Sequence, residues 1–374
     1  MQVADPLEYP DSAALQAAGI ANVRERAPLI EYLASLGFTA DDMVRAESRG
    51  RLFGLAGDAL GWSGPPVHSL RSAADALDIA VEELERIWTM LGLSVPGPDT
   101  PALSQSDVDA LATSVAMRAQ YGEPVEGFLR VLGMNMARLA EAESSMIRIG
   151  QPDVWLGHSR DELATARAWR ATTEFIPRIG ALMDAVHRQH LVSARTFLEG
   201  LEGGPSASVI CGVGFADLSG FTALTQILTT AQLSAMLTDF GGAIADVVQA
   251  DGGRVVKFIG DAVMWVSSTA EHLAQAAADL VNHPRAHAAG VQVRAGLAFG
   301  AILAINGDYF GTPVNLAARL VAAAAPEQIL ATPDVRDKLP DWPAIALDPL
   351  PLKGFDAPVT VYNLGPAPGE PFIK

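Results

Sequence analysis

The chain has 374 residues, a formal net charge of −17 and one cysteine. That length holds two domains with separate cores, and a lone cysteine excludes a disulfide framework and fits a reducing cytoplasm. The acidic balance argues against nucleic acid as a partner, because binding it relies on Lys and Arg neutralising phosphates. The opening MQVADPLEYPDS lacks a basic region followed by an apolar run, and no stretch of 18 uninterrupted apolar residues occurs. Neither a secretory signal nor a transmembrane segment is therefore expected.

Residues 1–160 read as a helical domain. Apolar residues recur at three- and four-residue spacing in Ala13–Leu36, Ser72–Leu91, Ser106–Tyr121 and Pro124–Ile149, with Gly/Pro-rich breaks such as SGPP and VPGPDTPA between them. None of these stretches has metal-ligand or nucleophile spacing. SLRSAADALDIAVEELERIWTMLGL has the outline of a helix-turn-helix, but it lacks a basic recognition face, so a DNA-binding regulator is a minor alternative. Residues 161–205 form a linker. One helical pattern runs from Ala164 to Leu201, with Pro177 expected as a kink, and ends at GLEGGPSAS. Ile179, Met183, Val186, His190, Phe197 and Leu201 fall near a 3-4 repeat, which predicts a coiled-coil-like seam. A histidine in such a seam is disfavoured in its charged form by burial, so acidity would loosen or re-pair the helix there.

Residues 206–374 form the second domain. In SVICGVGFADLSGFT the run from Val209 to Phe215 suits a buried strand, broken at Ser219-Gly220 before a helix. Asp217 at that break is either an oxygen ligand for a hard cation or a helix cap. The backbone N–H groups of Ser219, Gly220, Phe221 and Thr222, at a helix start, are candidates to hold phosphate oxygens. Cys211 belongs to the strand's core. DGGRVVKFIGDAVMWV reads as a hairpin turning at Gly260. That turn would present Asp261 beside a neighbouring strand end, as the second carboxylate of a Mg2+ or Mn2+ site, while Lys257 by default is a solvated edge charge. NGDYFGTPVNLAARLVAAA has a Gly-rich loop and then a helix opening near Thr312-Pro313. Asn315 and Arg319, four residues apart, share one face of that helix.

As a set, FADLSGFT, KFIGDAVM, GDYFGTPVNLAARL and LKGFDAPVTVY resemble the class III adenylyl cyclases, over roughly Ser206 to Leu364. The layout of a helical N-terminal domain before one catalytic domain is similar to soluble mycobacterial-type enzymes. The resemblance implies an α+β chain: an all-α regulatory domain, then a ferredoxin-like βαββαβ catalytic domain. It implies that Asp217 and Asp261 bind two divalent cations, Mg2+ or Mn2+, and that Lys257 and Asp308 select adenine. Asn315 would orient the ribose and Arg319 stabilise the transition state, with Lys353 reaching the triphosphate. It further implies conversion of ATP to cyclic AMP at sites shared between two copies, hence a cytoplasmic homodimer. A proton or a small apolar ligand would be the N-terminal effector, with His190 and His187 contributing to a pH response. The non-enzymatic alternative is a domain that binds nucleotide and signals without turnover.

Overall fold

The computed structural model describes residues 12–150, 161–203, 208–288 and 290–365. Its contacts divide the chain into two compact units, residues 1–189 and 190–374.

The first unit is helical: α1 (Ser12–Ala17), α2 (Ala27–Ser35), α3 (Ala40–Ser48), α4 (Leu55–Asp58), α5 (Leu70–Ala76), α6 (Val81–Met90), α7 (Gln105–Tyr121), α8 (Pro124–Gly150), α9 (Glu162–Thr173) and the first part of α10 (Ile176–Glu199). Helix starts follow capping chemistry. Thr39 with Asp42, Ser69 with Ser72 and Ser104 with Asp107 each form a reciprocal capping box. Two apolar clusters sit inside this unit, one around Leu29, Leu33, Met43 and Leu52, the other around Leu70, Leu84, Ile87 and Leu103. Arg26 ties α3 to α9 by reaching Glu47 and Glu162, both at 2.6 Å.

Three helical stretches expected from periodicity are divided. Ala13–Leu36 becomes α1 and α2, with Gly19 (φ 108°) and Asn22 (φ 53°) in the left-handed region between them. The 72–91 stretch breaks after Ala76, where Asp78 has φ 55°. Pro177 does not kink one long helix: it is the second residue of α10, after a turn at residues 174–175. A proline lacks the amide hydrogen that an interior position must donate, so the first turn is where it fits.

The second unit contains β1 (Glu202–Gly203), β2 (Ser208–Ser219), α11 (Phe221–Ile227), α12 (Thr230–Ala250), β3 (Gly253–Ile259), β4 (Ala262–Ser267), α13 (Ala270–Val281), α14 (Pro284–Ala288), β5 (Gln292–Ile305), β6 (Asp308–Phe310), α15 (Thr312–Ala323), β7 (Ile329–Ala331), α16 (Pro333–Asp337), β8 (Ala344–Leu350) and β9 (Val359–Leu364). The sheet order is β3-β4-β2-β5-β7-β9-β8, with β6 paired to β5. Each of its first four strands is antiparallel to its neighbours among them, and they are joined as β2-α12-β3-β4-α13-β5, the ferredoxin-like βαββαβ pattern expected. Side chains alternate between two cores as strand geometry requires. Val263 and Trp265 face the cluster that includes Ile244 and Val248 of α12 and Leu273 of α13. Cys211, Val213, Phe215, Met264 and Val266 face the other, with Ala317 and Val321 of α15 and with Phe197 and Leu201. Among the described residues no helix is long and apolar enough to cross a membrane.

Candidate active site

Asp217 lies inside β2, not at its end, because the strand continues to Ser219 and turns at Gly220 (φ 83°). It is opposite Arg294 of β5 in the antiparallel register. That guanidinium donates twice to one oxygen of Asp217, from Nη2 at 2.6 Å and from Nε at 3.1 Å. Its Nη1 donates to the carbonyls of Ala322 and Ala324, at 3.4 and 3.2 Å. A mid-strand residue with this pairing is not a helix cap. Asp261 sits in the β3–β4 turn after Gly260 (φ 65°), where the left-handed backbone suits glycine. Burial, and the Asp217 carboxylate beside it, push the Asp261 carboxyl above its ordinary value, while Arg294 pulls the other way. Two carboxylates from distant parts of the chain thus converge, with one guanidinium against them.

Lys257 and Asp308 form an ion pair across 51 residues of sequence. A bulge between Val255 and Lys257 re-aims β3, and the β5–β6 hairpin sets Asp308 opposite Ile305. Asp308 Oδ1 also accepts from the backbone N–H of Tyr309 at 2.8 Å. Lys257 is therefore half-buried and paired, not a freely solvated edge charge.

Asn315 and Arg319 stand one turn apart on the exposed face of α15. Among the described residues neither side chain has a hydrogen-bond or ion-pair partner, and within one chain neither joins the two pairs above. The helix itself is held close to the sheet by Gly296: a Cβ there would lie 2.3 Å from the Val321 nitrogen.

The remaining candidates scatter. Ser219 ends β2 with its hydroxyl buried and unpartnered; Gly220 makes the turn, Phe221 opens α11, and Thr222 is in that helix. Lys353 is exposed in the turn after β8. His187 and His190 are exposed on α10, which buries none of its residues within one chain. Arg294 is the site residue that motif reading passed over. Its signal was present: the one charged residue in the largely apolar stretch VQVRAGLAF.

The donor set suits hard cations. Two adjacent carboxylates, one of them disfavoured as an anion by the other, offer oxygen ligands of the kind that Mg2+ or Mn2+ takes alongside substrate phosphates. Asp217 and Asp261 are the residues that would hold them.

Comparison with known proteins gives a consistent picture. Residues 206–365 match the family model described as the adenylate and guanylate cyclase catalytic domain. An uncharacterized protein of Mycobacterium tuberculosis is 66% identical over 355 residues, 95% of this chain and 94% of that one. An adenylate cyclase of Streptomyces coelicolor is 30% identical over 279 residues, 71% of this chain and 68% of its own. A protein of M. tuberculosis named as a pH-sensitive adenylate cyclase is 29% identical over 85% of this chain and 81% of its own. Among solved structures, the adenylyl cyclase CyaB of P. aeruginosa aligns with 43% of this chain and 95% of its own, at 23% identity and a TM-score of 0.40. With the motif set, the converging carboxylates and the matches in sequence in place, the chain belongs to the class III adenylyl cyclase family.

Proposed function

We propose that this protein converts ATP to 3′,5′-cyclic AMP and pyrophosphate at two equivalent sites, each shared between two copies of the chain. The observation that carries the reading is the separation of functional groups within one copy. Asp217 and Asp261 converge with Arg294, Lys257 and Asp308 pair with each other, and among the described residues Asn315 and Arg319 have no partner. Exposed apolar side chains flank these residues in sequence: Phe258 and Ile259 follow Lys257, while Leu303, Ile305 and Phe310 bracket Asp308, all between 42% and 52% exposed. A patch of this kind on a soluble surface marks an interaction face, and a second copy would cover it while bringing the unpartnered groups to the carboxylates.

In the reaction the ribose 3′ oxygen bonds to the α-phosphorus, the bond from that phosphorus to the pyrophosphate oxygen breaks, and the hydroxyl proton leaves. Asp217 and Asp261 would hold the divalent cations, which would supply charge neutralisation for the reacting phosphates. Lys257 donates to N1 of adenine and Asp308 accepts from N6, whereas guanine offers the opposite pattern along that edge. ATP is therefore the substrate. Asn315 orients the ribose, and Arg319 offsets the charge that grows on the phosphoryl oxygens. Arg294 prevents the two carboxylates from repelling freely before cations arrive. The helical unit restrains the catalytic pair, with His190 and His187 on the connecting helix as its candidate regulatory residues.

Purified full-length protein incubated with ATP or GTP and Mn2+ is expected to form cyclic AMP in preference to cyclic GMP. Asp217→Ala and Arg319→Ala are each expected to be inactive. Mixed and re-associated, they regain activity, because the mixed dimer keeps one site with both native residues. Dimers that exchange subunits yet stay inactive sink the shared-site reading. Wild type that binds ATP and never cyclises it is instead a silent nucleotide-binding module.

A further inference from the structure

Arg254 is the second residue of β3, three before Lys257, and it lies opposite Val266. Among the described residues no carboxylate is within ion-pair distance of it. Its guanidinium carbon instead stands 5.2 Å from the centre of the Phe197 ring, a separation at which an aromatic face attracts a cation. Phe197, near the C-terminal end of α10, packs with Leu201 on the apolar sheet cluster that also takes in Val256 and Tyr309. Burial raises the Tyr309 hydroxyl above its ordinary value, and Arg254 is close enough to pull against that shift. The Tyr309 backbone in turn donates to Asp308, which pairs with Lys257. A set of neighbouring residues thus runs from the end of α10 through Arg254, along β3 to Lys257 and by way of Tyr309 to Asp308.

We infer that Arg254, seated on the Phe197 ring, is a positioning residue that sets the aim of Lys257 and Asp308, and so the affinity and base selectivity of the nucleotide site. The physical argument has two parts. Arg254 and Lys257 share one short strand, so a shift of the guanidinium on its aromatic seat is passed along the backbone through the bulge that aims Lys257. Arg254 also supplies a positive charge near Tyr309, the immediate neighbour of Asp308. Neither residue touches substrate in this role. The inference rests on the assignment of Lys257 and Asp308 as the adenine-reading pair.

The test uses full-length dimer. Phe197→Leu, Arg254→Gln and Arg254→Lys are compared with wild type for KM and kcat with ATP and GTP, and for equilibrium binding of both nucleotides in Mn2+. In Phe197→Leu and Arg254→Gln the KM for ATP is expected to rise about 3- to 10-fold and the preference for ATP over GTP to fall, with kcat within about twofold of wild type. Arg254→Lys, which keeps the cation, is expected to recover most of the loss. Folding is controlled by melting temperature, and Lys257→Ala is the reference. If Lys257→Ala changes ATP binding and selectivity while Arg254→Gln and Phe197→Leu leave both at wild-type values, the positioning inference is overturned by itself. If Lys257→Ala has no effect on either, the base-reading assignment fails and takes the inference with it. Equal losses in Arg254→Lys and Arg254→Gln, confined to kcat, also overturn it.

Discussion

Replacing Asp279 by asparagine is expected to stabilise this protein at neutral pH and not in acid. Asp251 caps the C-terminal end of α12, and its Oδ2 is buried, with nothing among the described residues donating to it. Facing it is Asp279 of α13, which accepts from Gln275 Nε2 at 3.0 Å. Two acceptors in contact are satisfied only when a proton lies between them. Burial first, and the Asp279 carboxylate second, push the Asp251 carboxyl from 3.8 up to about 6, with His272 opposing. That displacement corresponds to about 3 kcal/mol in full, and because both residues are only part-buried, screening leaves about 1 kcal/mol. The sign follows from linkage. The folded chain holds the extra proton between about pH 4 and pH 6, so the pair costs nothing below the unfolded pKa, and stability is lost as pH rises through that window and stays lost above it. The amide of Asp279→Asn donates to Asp251 and removes the repulsion. Thermal melts of wild type and variant at pH 7.5 and pH 4 are the assay. A gain of about 2–4 °C is expected at the higher pH, and none at the lower. A variant less stable at pH 7.5, or one equally more stable at both, refutes the reasoning.

Two further outcomes follow from the geometry. Gly296→Ala places a methyl 2.3 Å from the Val321 backbone nitrogen, which forces α15 off the sheet; denaturant titration is expected to show a loss of about 1–3 kcal/mol, accompanied by loss of cyclase activity. Arg294→Ala leaves Asp217 and Asp261 uncompensated, so melting temperature falls in EDTA and is largely restored by millimolar Mn2+; a fall that Mn2+ does not repair contradicts the carboxylate-repulsion account.

The uneven legibility of this chain has a physical cause. Strand β2, the β3–β4 hairpin and helix α15 were readable because each is a local pattern: alternating apolar residues, a glycine turn, a proline in a first turn. The helices α7 and α8 were read nearly to the residue for the same reason. The boundaries of α1, α2, α5 and α6 were not, because a left-handed residue such as Asn22 or Asp78 interrupts an apolar repeat without changing its spacing. Pro177 was visible as a break but not as a beginning, since the sequence does not say on which side of a proline a helix lies.

The site divides along the same line. Motifs alone gave the fold class and six residues whose chemistry suits cations, adenine and phosphate, because carboxylate, ammonium and guanidinium groups carry their function in their composition. Tertiary structure alone decided which of them meet. It set Arg294 against Asp217 through a strand register 77 residues apart, joined Lys257 to Asp308 by folding the β6 arm back, and left Asn315 and Arg319 on an open helix face. Such pairings depend on the register and twist of a sheet built from distant segments, and no local pattern of residues encodes that distance.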